Sequence, residues 1–257
     1  MNILVCVKRV PATGGRITLT ADGRDIDTRY LGFTVSPHEE CAVEEAVRIV
    51  EKHGGSSTVL TLGPEVAGEQ LRDAMAIGIE RAVLLETDGA DWDPLATAAA
   101  IVDAVKALEA DGETFDLLLF GNEAADTGDF QVGIRVATAL GRPSVTGIKA
   151  IEVADGRVVA RREAAGGGWE VFELDLPAVL AVKEGLNLPR YPSVPGRLRA
   201  KKKDIVRMTP HLRAGGPTKE RLRLPEGNES TVEVIGHGPA AAPAVVELLT
   251  RLGVLGR

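Results

Sequence analysis

The stretch FDLLLFGNEAADTGDFQVGIRVATAL (residues 115–140) shows how the chain folds. Five of its first six residues are apolar, which predicts a β-strand buried on both faces of a sheet. A glycine-bearing loop (residues 121–133) follows, and apolar residues at helical spacing then continue to Leu140. A buried strand, a loop and a helix in this order form the repeating unit of a parallel α/β sheet.

The same unit recurs through the first two-thirds of the chain. Ser36, Pro37 and Glu39 form a capping box with proline at the first helical position, which predicts a helix that Gly54 and Gly55 end. The order of elements predicts a doubly wound, mostly parallel, Rossmann-like sheet. The further predicted central strands are residues 2–7, 58–62 and 82–86, and the further helices are about 67–77 and 94–108.

The spacing of apolar side chains changes after residue 143. Residues 147–153, 157–164 and 169–174 alternate polar and apolar side chains around turn signals at Asp155-Gly156 and at residues 166–168. We therefore expect an antiparallel hairpin set added to the parallel sheet, followed by one more buried strand over residues 176–182.

The last part of the chain has a third composition. Three prolines at positions 189, 192 and 195 predict an ordered, extended loop and exclude both a helix and a central strand there. Residues 189–203 hold six basic and no acidic residues, and a final helix is predicted over about 239–252. We divide the chain into an α/β domain (residues 1–188) and an extended C-terminal arm (residues 189–257) that has no core of its own.

Composition narrows the function classes. The 257 residues carry a formal net charge of −7, which argues against general nucleic-acid binding, although the basic segment alone would permit it. Two cysteines, Cys6 and Cys41, fit a reducing cytoplasm better than a disulfide scaffold. No apolar run is long enough for a membrane span, and the first residues lack the features of a signal peptide. We therefore predict a cytoplasmic protein without membrane insertion.

Catalytic motifs are missing from the sequence. It contains no G-x-x-x-x-G-K-[ST] phosphate loop and no G-x-S-x-G nucleophile elbow, and its four histidines show no metal-ligand spacing. We predict neither a catalytic residue nor a metal site.

The loop at residues 121–133 is the strongest candidate for a ligand site. It leaves the carboxyl end of a predicted central strand, where open α/β sheets bind their ligands. Gly121 and Gly128 allow a ligand close to the backbone, and the helix start at Phe130 offers free N–H groups to a phosphate. Asp129 suits a ribose hydroxyl or a helix N-cap. Residues 7–9 and 62–64, at the ends of two other strands, should meet at the same edge.

Several segments together resemble one family. The chain resembles the beta subunits of electron transfer flavoproteins, and the resemblance covers nearly its whole length. The fold that the family implies is the adenine nucleotide alpha hydrolase-like form of the doubly wound sheet. The matching segments are ILVCVKRVP, AVEEAVRIVEK, AMAIGIERAVLL, GNEAADTGDFQVG and LPAVLAVKEGLNLPRYPSVPGRLRAKKK.

The resemblance implies an electron carrier and not an enzyme. Such a subunit forms a heterodimer with an alpha subunit that holds most of an FAD. The heterodimer accepts electrons from flavoprotein dehydrogenases and passes them to a quinone oxidoreductase or another acceptor. The beta subunit itself carries AMP, or a second FAD in electron-bifurcating members, and the sequence leaves this choice open.

The resemblance also assigns residues. Residues 189–198 correspond to the loop that docks redox partners, with Val194 as the anchor beside Tyr191 and Pro195. The implied nucleotide contacts are Cys6, Ser36, Pro37, His38, Glu39, Leu62, Gly121, Asn122, Glu123, Asp126, Gly128, Asp129, Phe130, Gln131 and Val132.

The alternative from another class is an adenine-nucleotide hydrolase or a stress-type ATP-binding protein on a similar fold. Such a protein needs a loop that grips a triphosphate, and this sequence does not show one. A protein of that class also has no need for the C-terminal arm that this sequence carries.

Overall fold

The computed structural model describes residues 1–12, 14, 17–154, 156–225 and 233–255. The chain divides into two compact units, Met1–Arg221 and Leu222–Arg257. The strands are β1 (Asn2–Cys6), β2 (Val10–Pro11), β3 (Phe33–Thr34), β4 (Ser56–Gly63), β5 (Arg81–Glu86), β6 (Leu117–Gly121), β7 (Ser144–Ala154), β8 (Arg157–Glu163), β9 (Trp169–Asp175), β10 (Ala178–Val182) and β11 (Val206–Met208). The α-helices are α1 (Pro37–His53), α2 (Gly68–Ile77), α3 (Pro94–Ala110), α4 (Val132–Leu140), α5 (Val194–Ala200) and α6 (Ala242–Arg251), with 3-10 turns at Glu65–Ala67 and Gly238–Ala241.

The first unit is built on a nine-stranded sheet in the order β11-β5-β4-β1-β6-β10-β7-β8-β9. All neighbouring strands from β11 to β7 pair in parallel, and β8 and β9 add antiparallel pairs at one side. The predicted sheet, mostly parallel with an antiparallel hairpin extension, is therefore confirmed. The chain order reverses at β1, which lies between β4 and β6, and this reversal is the point at which such sheets bind ligands.

Alternate side chains of the central strands fill a core on each face of the sheet. Ile3 and Val5 of β1 pack with α1 and α2, whereas Leu4 and Cys6 pack with α3 and α4. Because both faces are covered, the central strands have no polar face, which explains their continuous apolar runs.

Helix α1 begins and ends as its sequence predicts. The Ser36 hydroxyl accepts a hydrogen bond from Glu39 N, and the Glu39 carboxylate accepts one from Ser36 N at 3.0 Å. The two bonds form the capping box. At the other end, Gly54 has a φ of 73°, a conformation that a glycine adopts without steric cost.

The prediction that the three prolines exclude a helix from the segment after residue 188 is wrong in part. Residues 189–193 form neither a helix nor a strand, but α5 begins at Val194 with Ser193 as its N-cap. Pro195 lies in the first turn of α5, where a backbone N–H has no partner within the helix, so its ring breaks no hydrogen bond there. The Ser193 hydroxyl instead accepts a hydrogen bond from Gly196 N.

Two further differences concern short elements. Strand β11 pairs with β5 at the edge of the sheet, and its three residues are too few to give a periodic signal. The predicted strand over 176–182 begins at Ala178. Of the predicted turn Asp155-Gly156, Asp155 lies outside the described residues.

The second unit contains the predicted final helix as a 3-10 turn followed by α6. Every residue of α6 is exposed or half-buried, although the helix is rich in valine and leucine. In the part of the chain that the structure describes, no helix has the length and hydropathy needed to cross a bilayer.

Candidate functional site at the carboxyl edge of the sheet

The carboxyl ends of β1, β4 and β6 lie side by side, as the sequence predicts. Cys6 at the end of β1 is paired with Leu60 of β4 on one side and with Phe120 of β6 on the other. Leu62 and Gly121 therefore stand at the same edge of the sheet, and the N-terminus of α1 reaches this edge as well.

Glu39 joins two of these elements. Its side chain is buried, and its two carboxylate oxygens accept hydrogen bonds from Lys8 N at 2.9 Å and Ser36 N at 3.0 Å. The carboxylate thus fixes the chain after β1 against the first turn of α1. Glu39 is a structural support of the edge, because both of its oxygens are already occupied by backbone donors.

Gly121 lets the loop after β6 pass directly over this support. A Cβ atom at Gly121 would lie 2.7 Å from Cγ of Glu39 and 3.3 Å from Cβ of His38. Any larger residue would push the loop away from α1. The Ser36 hydroxyl donates to the carbonyl of Glu123 at 3.3 Å, which fixes the next part of the loop.

One ion pair and one histidine–carboxylate contact cross the edge. Lys8 Nζ lies 2.8 Å from Oδ2 of Asp126, and His38 Nε2 lies 3.3 Å from Oε1 of Glu123. The other imidazole nitrogen, Nδ1 of His38, accepts a hydrogen bond from Glu184 N at 3.1 Å. The edge therefore combines a half-exposed cation, a glycine-bearing loop and the start of a helix, and this combination suits a phosphate-bearing ligand.

Burial shifts the acid–base behaviour of two residues at the edge. Burial raises the pKa of the Glu39 carboxyl to about 8, although the hydrogen bonds from Ser36 and Lys8 oppose the shift. Burial, helped by the negative potential of Glu39, also raises the pKa of the Cys6 thiol. Cys6 is therefore a neutral core residue and contributes no thiolate.

We expect Glu39 to make the fold less stable as pH rises. Its pKa in the folded chain is about 8, against an ordinary value of 4.5. Between these pH values the unfolded chain releases a proton that the folded chain keeps, so each pH unit lowers the free energy of unfolding by up to about 1.4 kcal/mol. The Glu39→Gln variant should melt at a lower temperature than the wild type at pH 5, because its NH₂ group cannot accept a hydrogen bond from a backbone N–H. Between pH 5 and 8, however, the variant should lose less stability than the wild type. Melting curves of both proteins in the same buffers would show this, and equal slopes would contradict it.

The second half of the loop differs from the expectation. Asp129 is exposed and is not the N-cap of α4, because that position is taken by Gln131. Phe130 has a φ of 55° and a half-exposed ring. Val132 packs against the core on the α3 and α4 side of the sheet, so it is a core residue at least in part.

A pocket of about 310 Å³ adjoins this part of the loop. Asn122 and Phe130 line it together with Thr146, Arg162 and Lys183 of the neighbouring strands and loops. The sequence does not mark the last three residues as candidates, because the pairing of strands far apart in the chain brings their side chains to the pocket. Lys8 is also absent from the predicted candidates, although its place directly after a buried strand was a usable signal.

The predicted docking residues lie beside α1 and α2. Tyr191 and Val194 are 96% and 72% exposed, and Pro195 is exposed as well. The neighbouring basic residues differ in whether their charges are bound within the protein. Lys203 donates to the carbonyls of Ile79 and Glu80 at about 3 Å, so it is bound to the turn between α2 and β5 and is not a free surface charge.

Among the described residues, no group of three or more His, Cys, Asp or Glu side chains is arranged to hold a metal ion.

The family model and the relatives of known name agree on one family. Residues 25–212 match the family model described as the electron transfer flavoprotein domain. Similar relatives named electron transfer flavoprotein subunit beta occur in Syntrophomonas wolfei, 39% identical over 80% of this chain and 79% of the relative, and in Bacillus subtilis, 36% identical over 80% and 77%. One from Clostridium acetobutylicum is 33% identical over 96% of this chain and 94% of its own length.

Proposed function

The chain belongs to the electron transfer flavoprotein beta subunit family, and from this we propose that it pairs with an alpha subunit and holds an adenine nucleotide at the carboxyl edge of its sheet. As a member of this family it carries electrons and does not catalyse a reaction of its own. The nucleotide is AMP or a second FAD, and the alpha subunit holds most of the principal FAD.

The observation that carries the nucleotide proposal is the arrangement at the reversal of strand order. Lys8 supplies a cation there, and Gly121 brings the backbone of the loop close to the N-terminus of α1. A diphosphate or monophosphate needs such a cation together with accessible N–H groups, and the residues present fit this need. In the proposed complex Lys8 and the loop N–H groups hold the phosphate, and Asp126 is placed for a polar contact. Ser36 is buried and supports the loop through its bonds to Glu39 and Glu123.

The redox chemistry is supplied by the flavin when it is bound. The chain's own residues do the rest. The loop after β6 and the first turn of α1 orient the nucleotide, and Glu39 keeps these two elements together. The exposed residues Tyr191, Val194 and Pro195 dock a flavoprotein dehydrogenase as electron donor, and a quinone oxidoreductase or another acceptor takes the electrons.

The test is the spectrum and the nucleotide content of the purified complex. We expect the chain co-expressed with the alpha subunit to yield a heterodimer with the absorbance bands of a bound flavin. Denaturation should release FAD together with AMP, or FAD alone in twice the amount. A complex without flavin that hydrolyses ATP would contradict the proposal and support the hydrolase alternative.

A further inference from the structure

The exposed residues around Val194 form a short bridge between two helices. We name residues 188–198 the docking segment. Its apolar side chains at Leu188, Tyr191, Val194 and Leu198 are all exposed. Such side chains can dock a partner with little loss of entropy only when their positions are fixed before binding. The contacts that fix them are therefore part of the docking mechanism.

Arg190 makes the most extensive of these contacts. Its Nε lies 2.9 Å from Oε2 of Glu44, and its Nη1 and Nη2 lie 2.7 and 2.9 Å from the two carboxylate oxygens of Glu51. The backbone N–H of Arg190 also donates to Glu44 at 3.1 Å. Glu44 and Glu51 are two turns apart on α1, so one guanidinium bridges both.

Glu44 is an unusual partner because its side chain is almost completely buried. A buried carboxylate is costly unless it is paired and hydrogen-bonded. Burial by itself raises the pKa of Glu44, but the hydrogen bonds from Arg190 and Arg48 outweigh it and hold the pKa below its ordinary value. The chain thus keeps a charge inside the protein at the point where the docking segment begins.

The remaining contacts hold the two ends of the segment. On the side of α1, Asn187 Nδ2 donates to the carbonyl of Cys41 at 3.0 Å. On the side of α2, Gly196 packs against the carbonyl of Ala76, and Arg72 Nη1 donates to the carbonyl of Ala200 at 2.7 Å. Between these ends, Arg190 ties the segment to α1 through two carboxylates, and Arg48 Nη2 adds a longer bond to the carbonyl of Leu188 at 3.4 Å.

We propose that Arg190 is the positioning residue of the docking segment: bridging Glu44 and Glu51, it fixes where Tyr191 and Val194 stand before a partner arrives. This inference rests on the proposed docking function. It adds that partner affinity depends on an ion-pair bridge to α1 that acts through the apolar residues beside it.

The first measurement uses a nitroxide label on Tyr191→Cys in the purified heterodimer. The native cysteines of this chain, Cys6 and Cys41, are both buried, so within this chain the label should react with the introduced one. The heterodimer without the introduced cysteine, treated with the same label, gives the background from the alpha subunit. We expect Arg190→Gln to narrow the spectrum of the label, which reports faster motion. Arg197→Gln is the matched control, because it removes the same charge from the same segment but breaks only an exposed pair with Asp73. It should leave the label unchanged.

The second measurement is electron transfer from a flavoprotein dehydrogenase that reduces the wild-type heterodimer. With the heterodimer as the varied substrate, we expect Arg190→Gln to raise KM at least fivefold and to leave kcat and flavin content unchanged. Arg190→Lys keeps the charge but cannot bridge both carboxylates, so a raised KM in this variant separates positioning from electrostatic attraction. Val194→Ala tests the docking function itself, and we expect a 5- to 30-fold rise in KM.

Each outcome decides a different point. A mobile label together with a raised KM supports the proposal. An unchanged label in Arg190→Gln overturns it, and so does a mobile label with an unchanged KM when Val194→Ala still raises KM. If neither variant changes KM, the docking function fails and the positioning role falls with it, whereas flavin and nucleotide binding remain untouched.

Discussion

The Lys8→Glu variant should lose the bound nucleotide from the purified heterodimer. Lys8 Nζ lies 2.8 Å from the Asp126 carboxylate, and it is the cation that we propose for the phosphate. The substitution places a second carboxylate beside Asp126, where both repel a phosphate. Two unit charges 4 Å apart near a protein surface interact with about 4 kcal/mol. We therefore expect nucleotide affinity to fall at least about 30-fold, since half of that energy, about 2 kcal/mol, already corresponds to a factor of this size.

The measurement is the AMP, ADP and FAD released by denaturation, per mole of heterodimer. Lys202→Glu is the control, because it makes the same change in net charge on an exposed residue and should keep a full equivalent. The charge-swapped variant, Lys8→Asp with Asp126→Lys, restores a cation to the same edge and should recover part of the nucleotide. A full equivalent in Lys8→Glu would place the phosphate elsewhere.

The arrangement of the central sheet was predictable because local signals agree with its tertiary structure. Ser36 and Glu39 cap α1 as the capping box predicts, and continuous apolar runs mark strands that are covered on both faces. The convergence of residues 7–9, 62–64 and 121 on one edge followed from the parallel strand order alone.

Other features depend on contacts that no local pattern encodes. The bridge from Arg190 to Glu44 joins residues 146 positions apart, and the packing of α5 on α2 depends on the close approach of Gly196 to the carbonyl of Ala76. Asp129 illustrates a local signal that failed, because it was a plausible N-cap and α4 begins two residues later, after Gln131. Sequence reasoning found the edge of the sheet but not which loop side chains face it.

Helix α6 in the C-terminal unit carries an apolar face that could contact the alpha subunit in the proposed heterodimer. Val245, Leu248, Leu249 and Leu252 recur at helical spacing in and just after α6 and therefore share one face of the helix. Val245 and Leu252 are exposed, and an uncovered apolar face of this kind marks an interaction site. We propose that this face packs on the alpha subunit. Together with the rest of the arm, it should bury well over the roughly 2,000 Å² at which permanent complexes begin.

Val245→Asp should accordingly weaken the heterodimer by more than about 100-fold. It removes a buried valine, worth about 1.5 kcal/mol or more, and places an unpaired carboxylate in the interface at a further cost of about 2 kcal/mol or more. Thr250→Asp is the matched control, because it adds the same charge to the opposite face of α6. The helix dipole disfavours a carboxylate near the C-terminal end, so Thr250→Asp disturbs the isolated helix more than Val245→Asp does. Loss of the heterodimer in size-exclusion chromatography with Val245→Asp, but not with Thr250→Asp, can then arise only from the interface. If both variants co-elute with the alpha subunit at nanomolar concentration, or if the chain expressed alone is a stable monomer, the apolar face of α6 is not what holds the complex together.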